Sequence, residues 1–424
     1  MHAYSIPGFD IKNHRFKVPL NHDDKANTDL IEVFVRELTS IKNRGKDLPA
    51  IVYFQGGPGF EAYRPKSASF VDILAEDYRV LLLDQRGTGL STPFDLFLYK
   101  GDQAHELAQY LSNFRADQII RDAEHIRREM GISKWSVLGQ SYGGFCILSY
   151  LSYFPDSIKE AFITGGIPPA LRTPKEVYQA THKRALFRNQ QYFQRFPQDQ
   201  LLCQKIVKVL ADREVYLPDG SRLSPERFQQ LGFALIGASW ESLHYILEMA
   251  FPDERFETPS LKFLHRVQAQ TNIFEENPIY AILHESIYCQ GQGSRWAAWQ
   301  VRQEFPEFDA INHKDFNFTG EVIYPFMFDQ YQKLAPFKEV ADILAAKDDW
   351  PPLYDVETLK QCQVPSAAAV YEYDIAVERE FSLEIANLIP GMKVWCTNEY
   401  EHDGLRVDTK RILKRLRDMC QGLI

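Results

Sequence analysis

VLGQSYGGF, residues 137–145, is the stretch that decides the fold of this 424-residue chain. It lies between an apolar run that predicts a strand and a second apolar run that predicts a helix. G-x-S-x-G in that setting is the nucleophile-elbow pattern, and Gly139 and Gly143 leave room where a Cβ atom would clash. The alternative is a small-residue turn whose serine caps the helix. Whether Ser141 is a nucleophile therefore depends on partners elsewhere in the chain.

The segments around this motif alternate between strand and helix patterns. Apolar runs that end in turns predict strands. Within residues 116–132, the spacing of Ile119, Ala123, Ile126 and Met130, followed by Gly131, predicts a helix. Strands that are apolar throughout and alternate with helices indicate a mostly parallel sheet covered by helices on both faces. The predicted strands lie within residues 29–38, 48–59, 78–91, 159–169, 364–374 and 392–406, and residues 134–154 read as strand, turn and helix.

Residues 170–355 have a different pattern, dominated by long helical segments rich in aromatic, Gln and Arg residues. The strand–helix pattern then returns and ends in a helix. We therefore expect an α/β core in two parts, 1–168 and 357–424, with a mainly helical cap inserted as residues 169–356.

A second glycine-rich loop, YFQGGPGF at residues 53–60, follows an earlier strand. In a fold with a nucleophile elbow, such a loop supplies backbone N–H groups to the oxyanion of the reaction. We assign this role to the N–H groups of Gly57 and Tyr142, with Gly56 as the substitute for Gly57. The alternative is an ordinary β-turn.

The remaining partners of Ser141 are expected in the order acid and then histidine. His402 follows a predicted strand near the end of the chain, whereas the other downstream histidines lie in the helical block. Asp374 ends the strand pattern AAAVYEYD, where a carboxylate can orient an imidazole. Asp403 is the competing acid, but it directly neighbours His402. Because all four elements occur in the required order, we predict Ser141 as the nucleophile, His402 as the base and Asp374 as its orienting acid.

Composition restricts the partners. The formal net charge is −9, which argues against nucleic acid or an anionic membrane surface as a partner. The chain starts without a signal-peptide pattern, contains no apolar run long enough to span a membrane, and has scattered cysteines without a CxxC pair. We expect a cytoplasmic protein that needs no metal or cofactor. The oligomeric state is left open.

Together QGGPG, DQRGTGLS, GQSYGG, YEYD and EHDGLR resemble the proline iminopeptidase (prolyl aminopeptidase) branch of the α/β-hydrolases. The resemblance covers about residues 30–165 and 360–415. It implies an α/β-hydrolase fold and release of an N-terminal residue, preferentially proline, from small peptides through an acyl-enzyme, with Ser141, His402 and Asp374 in the roles given above. One position departs from the family, because Gln55 stands where the oxyanion motif commonly has His.

The resemblance also implies that glutamates of the cap hold the free N-terminal ammonium of the peptide. Two candidates lie among aromatic residues, Glu285 in ILHESIYCQG and Glu241 in GASWESLHYILEMAF. The alternative for each is an ordinary solvated carboxylate. An esterase or amidase that acts on a small acyl compound without a free amine would use the same triad. A non-catalytic binding module is a third interpretation, although such a protein usually loses the base or the nucleophile, and this chain has both.

Overall fold

The computed structural model describes residues 2–26, 28–66, 69–94, 103–253 and 255–424. Within them the chain forms one nine-stranded sheet. The strands are β1 His2–Ile6, β2 Phe9–Pro19, β3 Leu30–Ser40, β4 Ala50–Phe54, β5 Arg79–Asp84, β6 Trp135–Gln140, β7 Ile158–Thr164, β8 Ser366–Tyr371 and β9 Met392–Thr397.

The strands lie in the order β1-β2-β3-β5-β4-β6-β7-β8-β9. Pairs from β5 to the β9 edge are parallel, and pairs from β1 to β5 are antiparallel. Every residue of β4, β6 and β8 is buried, which agrees with strands covered on both faces. The prediction of a mostly parallel sheet is confirmed.

The N-terminal hairpin was missed by the sequence patterns. In this hairpin Ile6 pairs with Phe9 across the two-residue turn Pro7-Gly8, and Gly8 has a φ of +90°. β2 alternates buried and more exposed positions along much of its length, with polar and charged side chains between the apolar ones. A search for continuous apolar runs does not find such a strand, because one of its faces is turned to water.

Helices cover both faces of the sheet. The helices of the first α/β segment are α1 Phe70–Leu74, α2 Ala104–Leu111, α3 Ala116–Glu129 and α4 Tyr142–Tyr153. Those after β8 are α16 Arg379–Ala386, α17 Gly404–Val407 and α18 Thr409–Cys420. α1 and α18 pack on one face over a smaller apolar core, and α2 to α4 pack on the other over a larger core that continues into the helical segment between β7 and β8.

In the segment between β7 and β8, as far as the structure describes it, the regular elements are helices joined by irregular loops. Its α-helices are α5 Pro174–Arg195, α6 Pro197–Asp212, α7 Pro225–Gln229, α8 Trp240–Glu248, α9 Leu261–Thr271, α10 Ile273–Glu276, α11 Pro278–Leu283, α12 Ala297–Arg302, α13 Met327–Gln330, α14 Lys338–Ala346 and α15 Val356–Gln361. We refer to residues 169–356 as the insertion. Its boundaries as a separate cap domain stay a prediction.

The last predicted strand is shorter than the sequence pattern indicates. β9 ends at Thr397, and residues 398–403 form a loop that leads into α17. The partner strand β8 ends at Tyr371, so the backbone pairing closes with the bond from the Glu372 N–H to the Thr397 carbonyl, 2.9 Å. The prediction of a strand over 392–406 is therefore wrong beyond Thr397, and His402 lies in a loop at the strand end.

Candidate active site

Ser141 occupies a strained turn between β6 and α4. Its φ of 55° and ψ of −127° lie outside the regions that a non-glycine residue ordinarily adopts. Such a conformation costs free energy and persists only where the surroundings enforce it, which is a common feature of catalytic turns. Here the Ser141 N–H is fixed by the Thr164 carbonyl at 3.0 Å, and the Ser141 carbonyl accepts from the Gly144 N–H at 2.8 Å.

The glycines around Ser141 are required by close backbone contacts. A Cβ atom on Gly139 would overlap the Gly143 carbonyl group, and one on Gly143 would overlap the Phe54 carbonyl oxygen. This confirms the steric reason given for the two glycines of the motif. Gly143 also brings the start of α4 against the end of β4, so the elbow and the glycine-rich loop after β4 are neighbours.

The predicted acid and base form a buried pair. Nδ1 of His402 lies 2.7 Å from Oδ2 of Asp374, and both residues are buried. The other carboxylate oxygen of Asp374 accepts from the N–H groups of Ala376 at 2.8 Å and Val377 at 3.0 Å. Both oxygens of Asp374 are therefore fixed, and the imidazole is held by one of them in a defined orientation.

Two contacts bring His402 beside the serine turn. The Gln140 side-chain amide donates to the His402 carbonyl oxygen at 3.4 Å, and Gln140 directly precedes Ser141. A Cβ atom on Gly165 would lie 3.2 Å from His402 Nδ1, and one on Gly166 would overlap the Ser141 carbonyl oxygen. Gly165 and Gly166 thus lie between the histidine and the serine. The sequence analysis missed these two residues, although a double glycine directly after an apolar strand was the available signal.

Two other carboxylates close to the pair in sequence, Glu372 and the competing acid Asp403, have other partners. Glu372 binds Arg379 through both of its oxygens, at 2.6 Å each. Asp403 accepts a hydrogen bond of 3.3 Å from the Ala238 N–H of the insertion. Among the three acidic residues, Asp374 is the one that the structure brings to His402.

The pKa of His402 is raised above its ordinary value. Burial is the largest single influence and lowers the pKa, but the charge of Asp374 and its hydrogen bond raise it further than burial lowers it. Two more distant charges also act on the ring: the Glu321 carboxylate raises the pKa, and the Arg406 guanidinium lowers it. This places Glu321 of the insertion and Arg406 of the core close enough to influence the base.

The loop after β4 lies beside Ser141. A Cβ atom on Gly56 would come within 3.1 Å of the Ser141 Cβ. Tyr142 is the first residue of α4, a position whose N–H has no acceptor within its own helix. The structure therefore brings Gly56 next to Ser141, with Gly57 directly after Gly56 in the loop and Tyr142 directly after the serine. The role of these residues as oxyanion donors stays a prediction.

The insertion covers this loop directly. A Cβ atom on Gly59 would lie 2.7 Å from the Tyr280 backbone nitrogen and 2.8 Å from the Ile279 Cβ. The Phe60 and Tyr280 rings also pack, with centroids 5.2 Å apart. α11, which carries Ile279 and Tyr280, therefore lies above the glycine-rich loop.

Glu285 is buried, and its carboxylate already has partners. Its two oxygens accept from the N–H groups of Ala297 at 3.1 Å and Ala298 at 2.9 Å, at the start of α12. Burial raises its pKa to about 7, although these hydrogen bonds and one from Ser294 act in the opposite direction. Its charge also acts on the hydroxyl groups of Tyr178 and Tyr288.

Glu241, the second candidate for binding the substrate ammonium, does not lie in an aromatic pocket near the catalytic residues. It is partly exposed at the first turn of α8 and forms an ion pair with Arg195. The apolar residues of α8 that are buried, Leu243, Ile246 and Leu247, lie on another side of the helix. The structure therefore does not bring Glu241 to Ser141 or His402.

A third glutamate of the insertion, Glu321, was missed by the sequence analysis. It lies in the irregular segment between α12 and α13 and accepts a hydrogen bond from the Tyr280 hydroxyl. Its charge acts on His402, on the buried His284 and on the hydroxyl groups of Tyr178 and Tyr288. The signal was the one used for Glu285, since TGEVIYPF also places a lone carboxylate among aromatic residues.

Arginines of α5 join the insertion to the loops that carry the acid and the base. The buried Arg188 side chain donates to the Tyr373 carbonyl oxygen and to the Glu401 carboxylate, so it contacts the residues directly before Asp374 and His402. One turn earlier, Arg184 binds Glu378 through two bonds of 2.8 and 2.6 Å. The position of the acid–base pair therefore depends on a helix of the insertion.

The residues that the structure describes contain neither a membrane-spanning helix nor a metal-binding cluster. None of the helices in that part of the chain is long and apolar enough to cross a membrane. In the same residues no group of three or more His, Cys, Asp and Glu side chains is arranged to hold a metal ion.

The order of the strands and the strained turn at Ser141 are those of an α/β-hydrolase. A family model described as alpha/beta hydrolase fold matches residues 49–207. A proline iminopeptidase of Aeromonas sobria is 46% identical over 417 residues, which are 97% of this chain and 97% of that protein. A proline iminopeptidase of Aspergillus aculeatus is 34% identical over 416 residues, covering 95% of this chain and 92% of that protein. The chain belongs to the proline iminopeptidase family.

Proposed function

We propose that this chain is a serine aminopeptidase that releases an N-terminal residue, preferentially proline, from small peptides through an acyl-enzyme. The observation that carries the proposal is the strained Ser141 beside the buried His402–Asp374 pair, in a chain similar over nearly its whole length to a proline iminopeptidase. The peptide substrate comes from that similarity, and the roles of the residues come from the geometry.

In the proposed reaction, Ser141 Oγ attacks the carbonyl carbon of the first residue while His402 takes the hydroxyl proton. The negative oxygen of the tetrahedral intermediate is held by the N–H groups of Tyr142 and Gly57, with Gly56 as the alternative donor. The C–N bond then breaks, and His402 gives its proton to the leaving amine. Water, activated by the same histidine, hydrolyses the acyl-enzyme and regenerates Ser141.

Asp374 has an orienting role in this scheme. Its fixed carboxylate holds His402 Nδ1 and stabilises the imidazolium that forms when the serine is deprotonated. The raised pKa of His402 matches this role, because the neighbouring negative charge favours the protonated ring.

We assign recognition of the substrate ammonium to Glu321. A cation bound in a site closed off from water needs a carboxylate partner, and Glu321 combines proximity to His402 with a hydrogen bond that fixes one of its oxygens. Glu285 lies near the same tyrosines but is bound to the start of α12. Its pKa of about 7 also favours the protonated carboxyl, so we assign Glu285 no direct contact with the ammonium. Glu241 points elsewhere and takes no part in this proposal.

The test of the function is hydrolysis of three anilides, those of proline, alanine and N-acetyl-proline. The proposal predicts that proline anilide is cleaved fastest, alanine anilide more slowly, and the acetylated substrate hardly at all. Equal turnover of the acetylated substrate, or of simple acetyl and butyryl esters in its place, would instead support an esterase or amidase that does not recognise an amine.

A further inference from the structure

A cavity of about 260 Å³ lies on the core side of the candidate active site. Three of its lining residues adjoin the catalytic elements: Gln55 precedes the glycines of the oxyanion loop, Gln140 precedes Ser141, and Arg406 follows His402 in the same loop and helix. Tyr53 and Phe70 form an aromatic wall, with ring centroids 4.5 Å apart. We call this space the Arg406 cavity.

The polar groups of the Arg406 cavity are available to a ligand. Arg406 is exposed, and within the described residues neither an ion pair nor a hydrogen bond occupies its guanidinium. In the same part of the chain the Gln55 side chain has no hydrogen-bond partner. The Arg406 charge acts on the Tyr53 hydroxyl, which lines the same cavity, and on the catalytic base His402.

The chemistry of the proposed reaction sets the side of Ser141 on which the leaving part of the substrate lies. The base that takes the serine proton also protonates the leaving amine, so that amine lies on the His402 side of Ser141. The acyl part, with its ammonium, lies towards Glu321 and Tyr280 of the insertion. The residues that follow His402, together with Gln140, whose amide contacts the His402 carbonyl, form the wall of the Arg406 cavity.

We infer that the Arg406 cavity binds the leaving part of the peptide and that Arg406 binds its free C-terminal carboxylate. The substrate class is therefore short peptides, in which the carboxylate is one or two residues beyond the scissile bond. The cavity is smaller than the 300–1,000 Å³ typical of sites for drug-sized ligands, which suits one or two small residues. Arg406, the one arginine among the described residues that line the cavity, supplies the charge that a carboxylate needs. This inference rests on the proposed aminopeptidase function.

The test compares acids with their amides. The substrates are prolyl-alanine, prolyl-alanyl-alanine and the C-terminal amide of each, and kcat/KM is measured for the parent protein, Arg406→Gln and Arg415→Gln. Arg415 is the matched control, because it is also exposed, lies on the neighbouring helix α18 and stacks on Trp395, so its substitution removes the same charge outside the cavity. Taking the ratio of acid to amide cancels any effect of Arg406 on the His402 pKa.

The parent and Arg415→Gln are expected to cleave at least one of the two acids about tenfold faster than its amide, the size of one charged hydrogen bond at a partly exposed site. In Arg406→Gln the ratio is expected to fall to about one. Ratios of about one for both peptide lengths in the parent would overturn the inference, as would a preference that survives in Arg406→Gln. Proline anilide has no carboxylate and therefore tests the proposed function separately. If the anilide is cleaved but the peptide acids are not preferred over their amides, this inference alone fails. If the anilide is not cleaved, the proposed function fails.

Discussion

The core and the insertion carry different kinds of functional residue. Ser141, Asp374 and His402 each follow a strand in the parallel part of the sheet, and the carboxyl ends of parallel strands meet at a common edge. The glutamates of the insertion do not follow strands of the sheet, so no common edge brings them together. Glu285 binds N–H groups at the start of α12, and Glu241 forms an ion pair with Arg195. The place of a residue at a strand end therefore predicts where its side chain lies relative to the other catalytic residues. The place of a glutamate in a helical segment does not predict which way its side chain points.

This difference gives an order of expected effects. Substitutions in the core remove the chemistry itself, those in the insertion remove recognition or alignment, and those of buried but occupied groups change only pH dependence or stability.

The largest effect is expected for Ser141→Ala. Without the nucleophile no acyl-enzyme forms, so kcat on proline anilide should fall by about 10⁴-fold or more. The melting temperature should fall little, because alanine keeps the small side chain but not the hydroxyl. The measurement is kcat beside a thermal melt, and a variant that keeps a tenth of the parent activity would contradict the assignment.

Glu321→Gln tests the insertion. The substitution removes the charge that would pair with the substrate ammonium but keeps the acceptor for the Tyr280 hydroxyl, so kcat/KM on proline anilide should fall by about 100-fold. Glu241→Gln is the matched control in the same segment and should change kcat/KM by less than about twofold, as for an exposed ion pair. A larger loss of kcat/KM in Glu241→Gln than in Glu321→Gln would contradict this assignment and would indicate that Glu241 binds the substrate amine.

Arg188→Met tests whether the insertion aligns the core. Loss of the guanidinium frees the loops before Asp374 and His402, so kcat should fall by about tenfold while KM changes little. Arg188→Lys should recover part of the rate, because it keeps the charge next to Glu401. Arg172→Met is the control at the same junction, since Arg172 binds Glu384 away from both loops. Equal losses in the Arg172 and Arg188 variants would indicate a merely structural role.

The pH profile of kcat/KM separates the two charges that act on His402. The base must be neutral, so activity is lost as pH falls through its pKa, and that pKa is raised above the ordinary value of 6.5. Glu321→Gln removes a charge that raises the pKa, so the acid limb should move to lower pH. Arg406→Gln removes a charge that lowers it, so the limb should move to higher pH. Shifts in the same direction for both variants would contradict the arrangement.

The smallest effect is expected for the stability contribution of Glu285. Burial raises its pKa from 4.5 to about 7, so the folded protein favours the protonated carboxyl. That stabilisation is complete below pH 4.5 and is lost as pH rises through about 7. Between these values the melting temperature of the parent should fall relative to that of Glu285→Gln by roughly a few degrees. Parallel curves for the two proteins would show that Glu285 is ionised throughout.

Much of the core could be predicted from the sequence, because its signals are local and mutually dependent. The apolar strands, the glycines around Ser141 and the order of Asp374 and His402 all follow from rules about strands and tight turns. The N-terminal hairpin was missed because its polar faces break the apolar pattern. The contacts of Glu321 with Tyr280, and of Arg188 with the loops before the acid and the base, join residues far apart in the chain. No local pattern encodes such contacts.

The most direct test of this division between core and insertion is the turnover of two substrates by Glu321→Gln, proline anilide and p-nitrophenyl acetate, with the parent and Ser141→Ala measured beside it. The account predicts that Glu321→Gln loses most of its activity on the anilide and keeps that on the ester, whereas Ser141→Ala loses both. A Glu321→Gln variant that loses both activities equally, or neither, would contradict the assignment of chemistry to the core and of amine recognition to the insertion.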